Sequence, residues 1–336
     1  MKKDRSPMCE YSREKTDMLP GTTHKELCAR YAFRLFAAAV ILMIFILSAV
    51  NAGAAMKQKG YPTPEEAVKA FAAAMESNDE KELLSIFGTA GKELVSSGDL
   101  VRDKQRRETF IADYNRKNKL APEGSRMILS VGEKDWPFPI PLVKQGDQWF
   151  FDTKAGKEEI LNRRIGENEL STVQTLLAVV DAQREYAMKD RDNDGIREYA
   201  EKFGSDPGKK NGLYWPTQPG ETPSPLGELV ADARAEGYRR SGTKQGPIPF
   251  HGYYFRILTR QGKQASGGAF DYVVKKNMVG GFAVVAYPAA YGASGVMTFV
   301  VNHEGVVYEK DLGQNTAAAA KAMTSFDPDK TWKKVE

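Results

Sequence analysis

The chain has 336 residues, 41% hydrophobic and 27% charged, an ordinary globular balance and long enough to bury a core without disulfide or metal staples. Its formal charge of +4 sits almost wholly in residues 1–34, where eight lysines and arginines face five acids. The remainder is close to neutral, which excludes a nucleic-acid binder built on a basic face.

Leu35 to Val50 form an uninterrupted apolar run, preceded by Arg30 and Arg34 and followed by Ala52, Gly53, Ala54 and Ala55. A basic segment, an apolar segment and a small-residue A-x-A site together predict a secretory signal peptide over residues 1–54, with an unusually long basic part. The expected cut is before Ala55, or before Met56. The alternatives are an uncleaved inner-membrane anchor, for which 16 residues fall short of the ~20 of a comfortable span, and a buried helix. Met18 is an alternative start. Both cysteines, Cys9 and Cys28, precede the run, and no lipobox cysteine follows it. The exported body is therefore expected to lack cysteine, and with it disulfides, thiolate metal sites and cysteine nucleophiles. The address is periplasmic or secreted, with membrane contact only through an uncut leader.

From Tyr61 the pattern becomes that of an N-terminal α+β domain, residues 57–155. Thr63-Pro64-Glu65-Glu66 reads as a helix start with Thr63 at the N-cap and Pro64 in the first turn. Ala67, Val68, Phe71, Ala74 and Met75 then recur at helical spacing. Asn78-Asp79 ends that helix. A second runs near Glu80 to Phe87, and a third, polar helix near Asp99 to Asn115. Strands follow at Met127–Val131, Ile140–Lys144 and Gln148–Asp152, the last two joined by a Gly146-Asp147 turn. Helices followed by a hairpin ending in Trp149-Phe150-Phe151-Asp152 resemble the nuclear-transport-factor-2-like cone fold over about 90 residues.

The second domain, residues 156–336, opens with a long helix from about Lys157 to Met188. Leu161, Ile165, Val173, Leu176, Leu177, Val180 and Ala187 define its apolar stripe. Residues 204–247 are rich in Gly, Pro and Ser and read as an ordered loop region with one short helix near Leu226 to Ala235. Strands are expected at Tyr253–Thr259, Phe282–Tyr287, Val296–Asn302 and Val306–Lys310, with His303-Glu304-Gly305 closing the last hairpin. A long helix, a loop and an antiparallel sheet resemble the globular head of type IV pilins and pseudopilins. The apolar run lacks the glutamate that a prepilin carries there, so assembly into a pilus is not implied. The fold class is α+β.

The sharpest motif is Asp190 to Glu201, which fits D-x-D-x-D-G-x5-E. Calcium takes six to eight hard oxygens. Asp190, Asp192 and Asp194 supply carboxylates from alternate positions, Gly195 permits the sharp turn, the Ile196 carbonyl contributes one oxygen and Glu201 closes the shell. Arg197 stands where an EF-hand has an apolar residue, and Ile196 follows the glycine. That arrangement resembles the D-x-D-x-D-G-I-x-[DE] loops of thrombospondin-type and bacterial envelope repeats. The alternative is an acidic, solvated turn ending the long helix.

Catalytic readings are thinner. Only His251 and His303 remain beyond the leader, one at a strand entry and one in a hairpin turn. Gly292-Ala293-Ser294-Gly295 is not a nucleophile elbow and reads as a polar turn with Ser294 exposed. Val279-Gly280-Gly281-Phe282 is a turn before a strand. The aromatic groups around Trp136, Tyr214-Trp215 and Tyr253-Tyr254-Phe255 pack a core or line a ligand groove.

The strings YAMKDRDNDGIREYAEKF, GKKNGLYWP, PFHGYYFRIL, FDYVV, GGFAVVAYPAAYG and GVMTFVVNHEGVVYEKDLG together are similar to the domain-of-unknown-function 2950 family of bacterial envelope proteins, over about Tyr61 to Asp327. The resemblance implies export and supplies no catalytic residues. The reading is an exported envelope protein, binding or structural and non-enzymatic, with one calcium loop. The alternative is a periplasmic hydrolase using His251 or His303. Other envelope proteins or envelope components are the class of partner that the address implies.

Overall fold

Thr63 lies in extended backbone and its Oγ1 accepts the Glu66 N–H at 3.1 Å, which starts helix α1, Pro64–Glu76. Proline is tolerated at that start because its missing N–H would have had no helical partner. Asp79 caps α2, Glu80–Phe87, by accepting from Lys81 and Glu82. A short α3, Lys92–Val95, precedes α4, Leu100–Arg116, whose cap is Asp99. These features come from a computed structural model that describes residues 58–191, 193–238 and 247–335. The expected leader with Cys9 and Cys28, and Asp192 of the acidic loop, lie outside the described residues.

The first sheet is antiparallel. It comprises β1 (Asn118–Glu123), β2 (Arg126–Val131), β3 (Trp136–Pro137), β4 (Leu142–Gln145) and β5 (Gln148–Phe151). Its order is β1-β2-β4-β5, with β3 also on β2. Sequence periodicity misses β1, because Asn118, Lys119, Pro122 and Glu123 are a poor strand sequence. The strand survives at an edge, where proline removes no obligatory ladder bond. Between α1, α2 and this sheet lies one hydrophobic core. Phe71 is its hub, with the rings of Phe87, Phe110, Phe138 and Phe151 centred 5.2–5.4 Å away. Each such pair adds about 0.5–1.5 kcal/mol beyond burial of its area.

Helix α5 runs from Thr153 to Ala187, 35 residues, starting earlier than expected because Asp152 caps it. Its first turns pack on the first core through Ile160, and its last turns on a second core through Leu176, Val179 and Val180. The apolar stripe is therefore not continuous. Midway its buried face is polar, with Arg164, Asn168, Thr172 and Thr175, and Leu177 is 42% exposed rather than in the stripe. Gly156 is required where α5 crosses the preceding loop: a Cβ there would lie 2.2 Å from the Pro139 carbonyl oxygen.

Beyond α5 a loop region carries α6, Gly227–Ala235. The second sheet contains β6 (Tyr253–Leu258), β11 (Ala283–Pro288), β12 (Met297–Asn302), β13 (Val307–Asp311) and β14 (Lys333–Lys334). It is antiparallel, in the order β14-β13-β12-β11-β6. Two small pairs, β7 (Arg260–Gln261) with β8 (Phe270–Asp271) and β9 (Val273–Val274) with β10 (Asn277–Met278), lie between β6 and β11 in the chain. Every residue of β11 is buried. It packs against α5 and α7 (Thr316–Ala322), which accounts for its unbroken apolar sequence. Ser294 departs from the exposed turn expected of it. It is fully buried, and its hydroxyl donates to the Ala290 carbonyl at 3.1 Å and accepts the Ala290 N–H at 2.9 Å.

The architecture is α+β, and the described residues lie within one compact unit, Met56–Glu336. Between its two cores runs a polar seam. Asp99 Oδ2 accepts the Tyr238 hydroxyl and the Gly252 N–H, each at 2.8 Å. Gln105 donates to the Glu236 carbonyl at 2.7 Å, and Asn168 donates to the Ser294 carbonyl at 2.7 Å. Among the described residues no helix is long and apolar enough to cross a membrane.

Candidate functional site

The acidic loop after α5 is tightly organised around Asp190. One carboxylate oxygen accepts the Asn193 N–H at 2.8 Å and the other the Gly195 N–H at 2.9 Å. Asn193 and Gly195 take the left-handed conformations that such a turn needs. Asp194 accepts the Ile196 N–H and the Asn277 side-chain amide, each at 2.7 Å. The chain then leaves in extended form, with Tyr199 bridging to Met278 and Glu198 accepting the Met278 N–H at 3.2 Å. Glu201 is exposed at a bend, without the exit helix by which an EF-hand brings its last glutamate back. Among the described residues, which exclude Asp192, no group of three or more metal-binding side chains is assembled. Asp190 and Asp194 carry the carboxylate oxygens of the kind that a calcium loop uses, and here those oxygens hold the turn through backbone N–H groups and Asn277.

His251 and Gly252 form the two central positions of a tight hairpin turn, both at positive φ, with Phe250 and Tyr253 exchanging backbone hydrogen bonds. The imidazole Nε2 lies 2.6 Å from Glu236 Oε2, and the ring stacks on Phe250 at 4.0 Å. Its Nδ1 is buried without a partner. The nearby Tyr238 hydroxyl accepts the backbone N–H of His251 at 3.2 Å and donates to Asp99. A carboxylate thus reaches the ring, while Tyr238 serves the backbone. Burial, reinforced by Asp99, pushes the Tyr238 phenol far above its ordinary range, so it stays a donor. His303 is packed edge-on against Tyr272, 5.9 Å between ring centres, close to Phe282. The two histidines therefore serve different places, one the seam and one the second core.

A larger groove of about 1410 Å³ lies beside α6, and a cavity of about 450 Å³ lies under α4 and the first half of α5. That volume lies in the range that holds a small organic ligand. Phe71, Phe87, Phe110, Trp136, Phe138 and Ile160 give it an aromatic and aliphatic interior. Arg102, Arg106 and Arg107 come to its wall from α4, and Arg163 and Arg164 from α5. These five guanidiniums face three lining carboxylates, Asp103, Asp113 and Glu167. Asp103 is committed to the Ser97 N–H and hydroxyl at 2.8 and 2.7 Å, and Asp113 pairs with Arg116.

The guanidiniums are unequally satisfied. Arg107 is occupied by the Val95 carbonyl, Asn78 and Glu80. Arg163 pairs with Glu159 and lies over the Trp136 ring. Arg164 donates to the Glu93 and Leu94 carbonyls, and among the described residues it has no carboxylate in ion-pair range and its buried Nε no acceptor. Arg102 and Arg106 share Glu167, at 3.9 and 3.4 Å, and Arg106 also reaches Asn168 Oδ1 at 3.0 Å. Arg102 Nε and Arg106 Nη1 are buried with no acceptor among the described residues. Burial first, then the charges of Arg106 and Arg107, push the Arg164 guanidinium down to about 10, against partial relief from Asp103. Arg106 is lowered in the same direction, by burial and then by Arg102, with Glu167 opposing. The wall therefore holds, on Arg102, Arg106 and Arg164, buried guanidinium nitrogens that no acceptor among the described residues satisfies.

Sequence reading treats α4 only as a polar helix and names none of these arginines. A signal was there: Arg102 and Arg106 are four residues apart, so a helix places both on one face. What sequence cannot show is that α5 brings Arg163 and Arg164 to the same wall. Of the aromatics named as groove candidates, Trp136 lines this cavity. Tyr214, Trp215 and Phe255 line a wider groove beside α6, where Arg191 and Lys210 lie over the Trp215 ring.

Residues 58–335 match the family model described as "Protein of unknown function (DUF2950)", and the chain belongs to that family. No curated protein and no solved structure gives a significant match.

Proposed function

We propose that this DUF2950 chain is an exported binding protein of the bacterial envelope that holds a small, largely apolar ligand in the cavity beneath α4 and α5. The observation that carries the reading is the cavity itself: about 450 Å³ with an aromatic interior and an arginine wall, on rigid helices. Export rests on the apolar run with its basic flank and Ala52-Gly53-Ala54 site, and on the absence of cysteine after residue 28. The test is titration with Nile red, a neutral apolar dye. One saturable site is expected, weakened at least about tenfold when a bulky ring narrows the cavity in Thr109→Trp or Met75→Trp, at unchanged circular dichroism. No saturable binding, or equal binding by both variants, overturns the reading.

A calcium ion in the 190–201 loop belongs to the same reading. It is supported by the way Asp190 organises its turn and by Asp194 beside it. Asp190, Asp192, Asp194 and the Ile196 carbonyl would hold the ion, which would stiffen the exit of α5. A hydrolytic role at His251 is the second reading, favoured by the 2.6 Å contact with Glu236. It predicts that His251→Gln abolishes an ester- or amide-hydrolysing activity while leaving folding intact; the binding reading predicts no such activity to lose.

A further inference from the structure

The cavity's charge narrows what it takes. A guanidinium buried without an anion is costly, because water is lost and nothing of opposite sign replaces it. Natural interiors rarely leave such donors unpaired. Here three of them, Arg102 Nε, Arg106 Nη1 and Arg164 Nε, belong to the wall of one cavity. Among the described residues, the carboxylate in ion-pair range of both Arg102 and Arg106 is Glu167, whose side chain is 59% exposed. An exposed ion pair is worth little and is readily exchanged for another anion. Much of the remaining lining is apolar, so a fully polar anion such as free phosphate would leave that part unfilled.

We propose, resting on the binding reading above, that the ligand is an apolar acid carrying one anionic head, with a single hydrocarbon tail or one aromatic ring system. The head sits on Arg102 and Arg106, displacing or sharing Glu167, and the tail lies against the apolar lining at Phe110, Trp136 and Ile160. The cavity volume suits one tail and is small for a two-chain lipid. Arg106 also donates to Asn168, which in turn donates to Ser294 in the second half of the protein, so the head group site is braced from both cores.

The experiment compares three twelve-carbon probes by displacement of Nile red from the whole protein: dodecanoate, dodecanol and dodecyltrimethylammonium. Dodecanoate is expected to bind about tenfold or more tighter than dodecanol, and the cationic probe weakest, since charge-assisted hydrogen bonds to a buried head are among the strong ones. Arg106→Gln and Arg102→Gln should erase that preference while leaving the affinity for dodecanol unchanged. Equal binding of dodecanoate and dodecanol overturns the acid assignment and leaves the cavity reading standing. A preference that survives both substitutions also overturns it, by placing the anion elsewhere. Failure of all three probes and of Nile red itself overturns the cavity reading with it.

Discussion

Asp99 is where the two halves of the protein are joined most tightly, and replacing it gives a large, calculable effect. Its side chain is 1% exposed. One oxygen accepts the Arg102 N–H at 3.1 Å and caps α4; the other accepts the Tyr238 hydroxyl and the Gly252 N–H at 2.8 Å each. Asp99→Ala removes an N-cap, about 1 kcal/mol, and two hydrogen bonds to a charged group, about 1.5–3 kcal/mol each. The loss is about 4–7 kcal/mol, a large share of the 5–15 kcal/mol that a native protein has. Asp99→Asn keeps one acceptor oxygen but turns an amide toward a donor, and is expected to lose about half as much. Tyr238→Phe removes the bond to Asp99, about 1.5–3 kcal/mol, and the longer one from the His251 N–H, about 0.5–1.5 kcal/mol. Urea unfolding followed by circular dichroism measures all three. The double variant Asp99→Ala with Tyr238→Phe should be worse than Asp99→Ala by only about 0.5–1.5 kcal/mol, the His251 N–H bond, because the Asp99–Tyr238 bond is shared by both changes. A loss below about 1 kcal/mol for Asp99→Ala, or simple additivity in the double variant, would refute the seam as described.

Three further outcomes follow from the same geometry. Gly156→Ala gains about 1 kcal/mol of helix propensity but forces a methyl against the Pro139 carbonyl, so a net destabilisation of about 2 kcal/mol is expected in the same urea assay; a gain in stability would show that the crossing can relax. Burial pushes the Tyr61 phenol up to about 12 and those of Tyr238, Tyr253 and Tyr272 higher still. The fold holds these groups neutral, so their stabilisation is complete below pH 10 and is lost as pH rises toward 12 and beyond, by about 5 kcal/mol at pH 11 for the four together. Urea midpoints at pH 9.5 and 11, with tyrosinate absorbance, check this; four phenols ionising near pH 10 in the folded protein would contradict it. Calcium at a hundredfold excess over its dissociation constant should add about 2.7 kcal/mol of stability. A chelator should reverse that gain and Asp190→Ala should abolish it, whereas a melting temperature indifferent to both removes the ion from the account.

Much of the fold is legible from local chemistry. Thr63-Pro64 and Asp79 announce α1 and α2 because capping is decided within four residues, and β11 to β13 announce themselves by unbroken apolar or alternating runs. The elements that sequence misses depend on distant partners. β1 is a strand only because β2 offers it a complete ladder, and its own Pro122 and charges argue against it. Leu177 belongs to the helical stripe by spacing yet faces out, because α5 changes cores along its length. The candidate site divides the same way. The acidic loop is contiguous, so its turn can be read from Asp190 to Gly195, whereas the cavity wall needs α4 and α5 side by side, more than fifty residues apart in the chain.

The central claim, that the cavity beneath α4 and α5 is the binding site, is tested most directly by locating a bound probe. Of the four tryptophans, Trp136 lines this cavity, whereas Trp215 lines the groove beside α6. Titration with a bromine-labelled long-chain alcohol should quench part of the tryptophan fluorescence saturably, and that part should vanish in Trp136→Phe while Trp215→Phe retains it. Quenching that persists without Trp136, or disappears with Trp215, would put the ligand elsewhere and contradict the account.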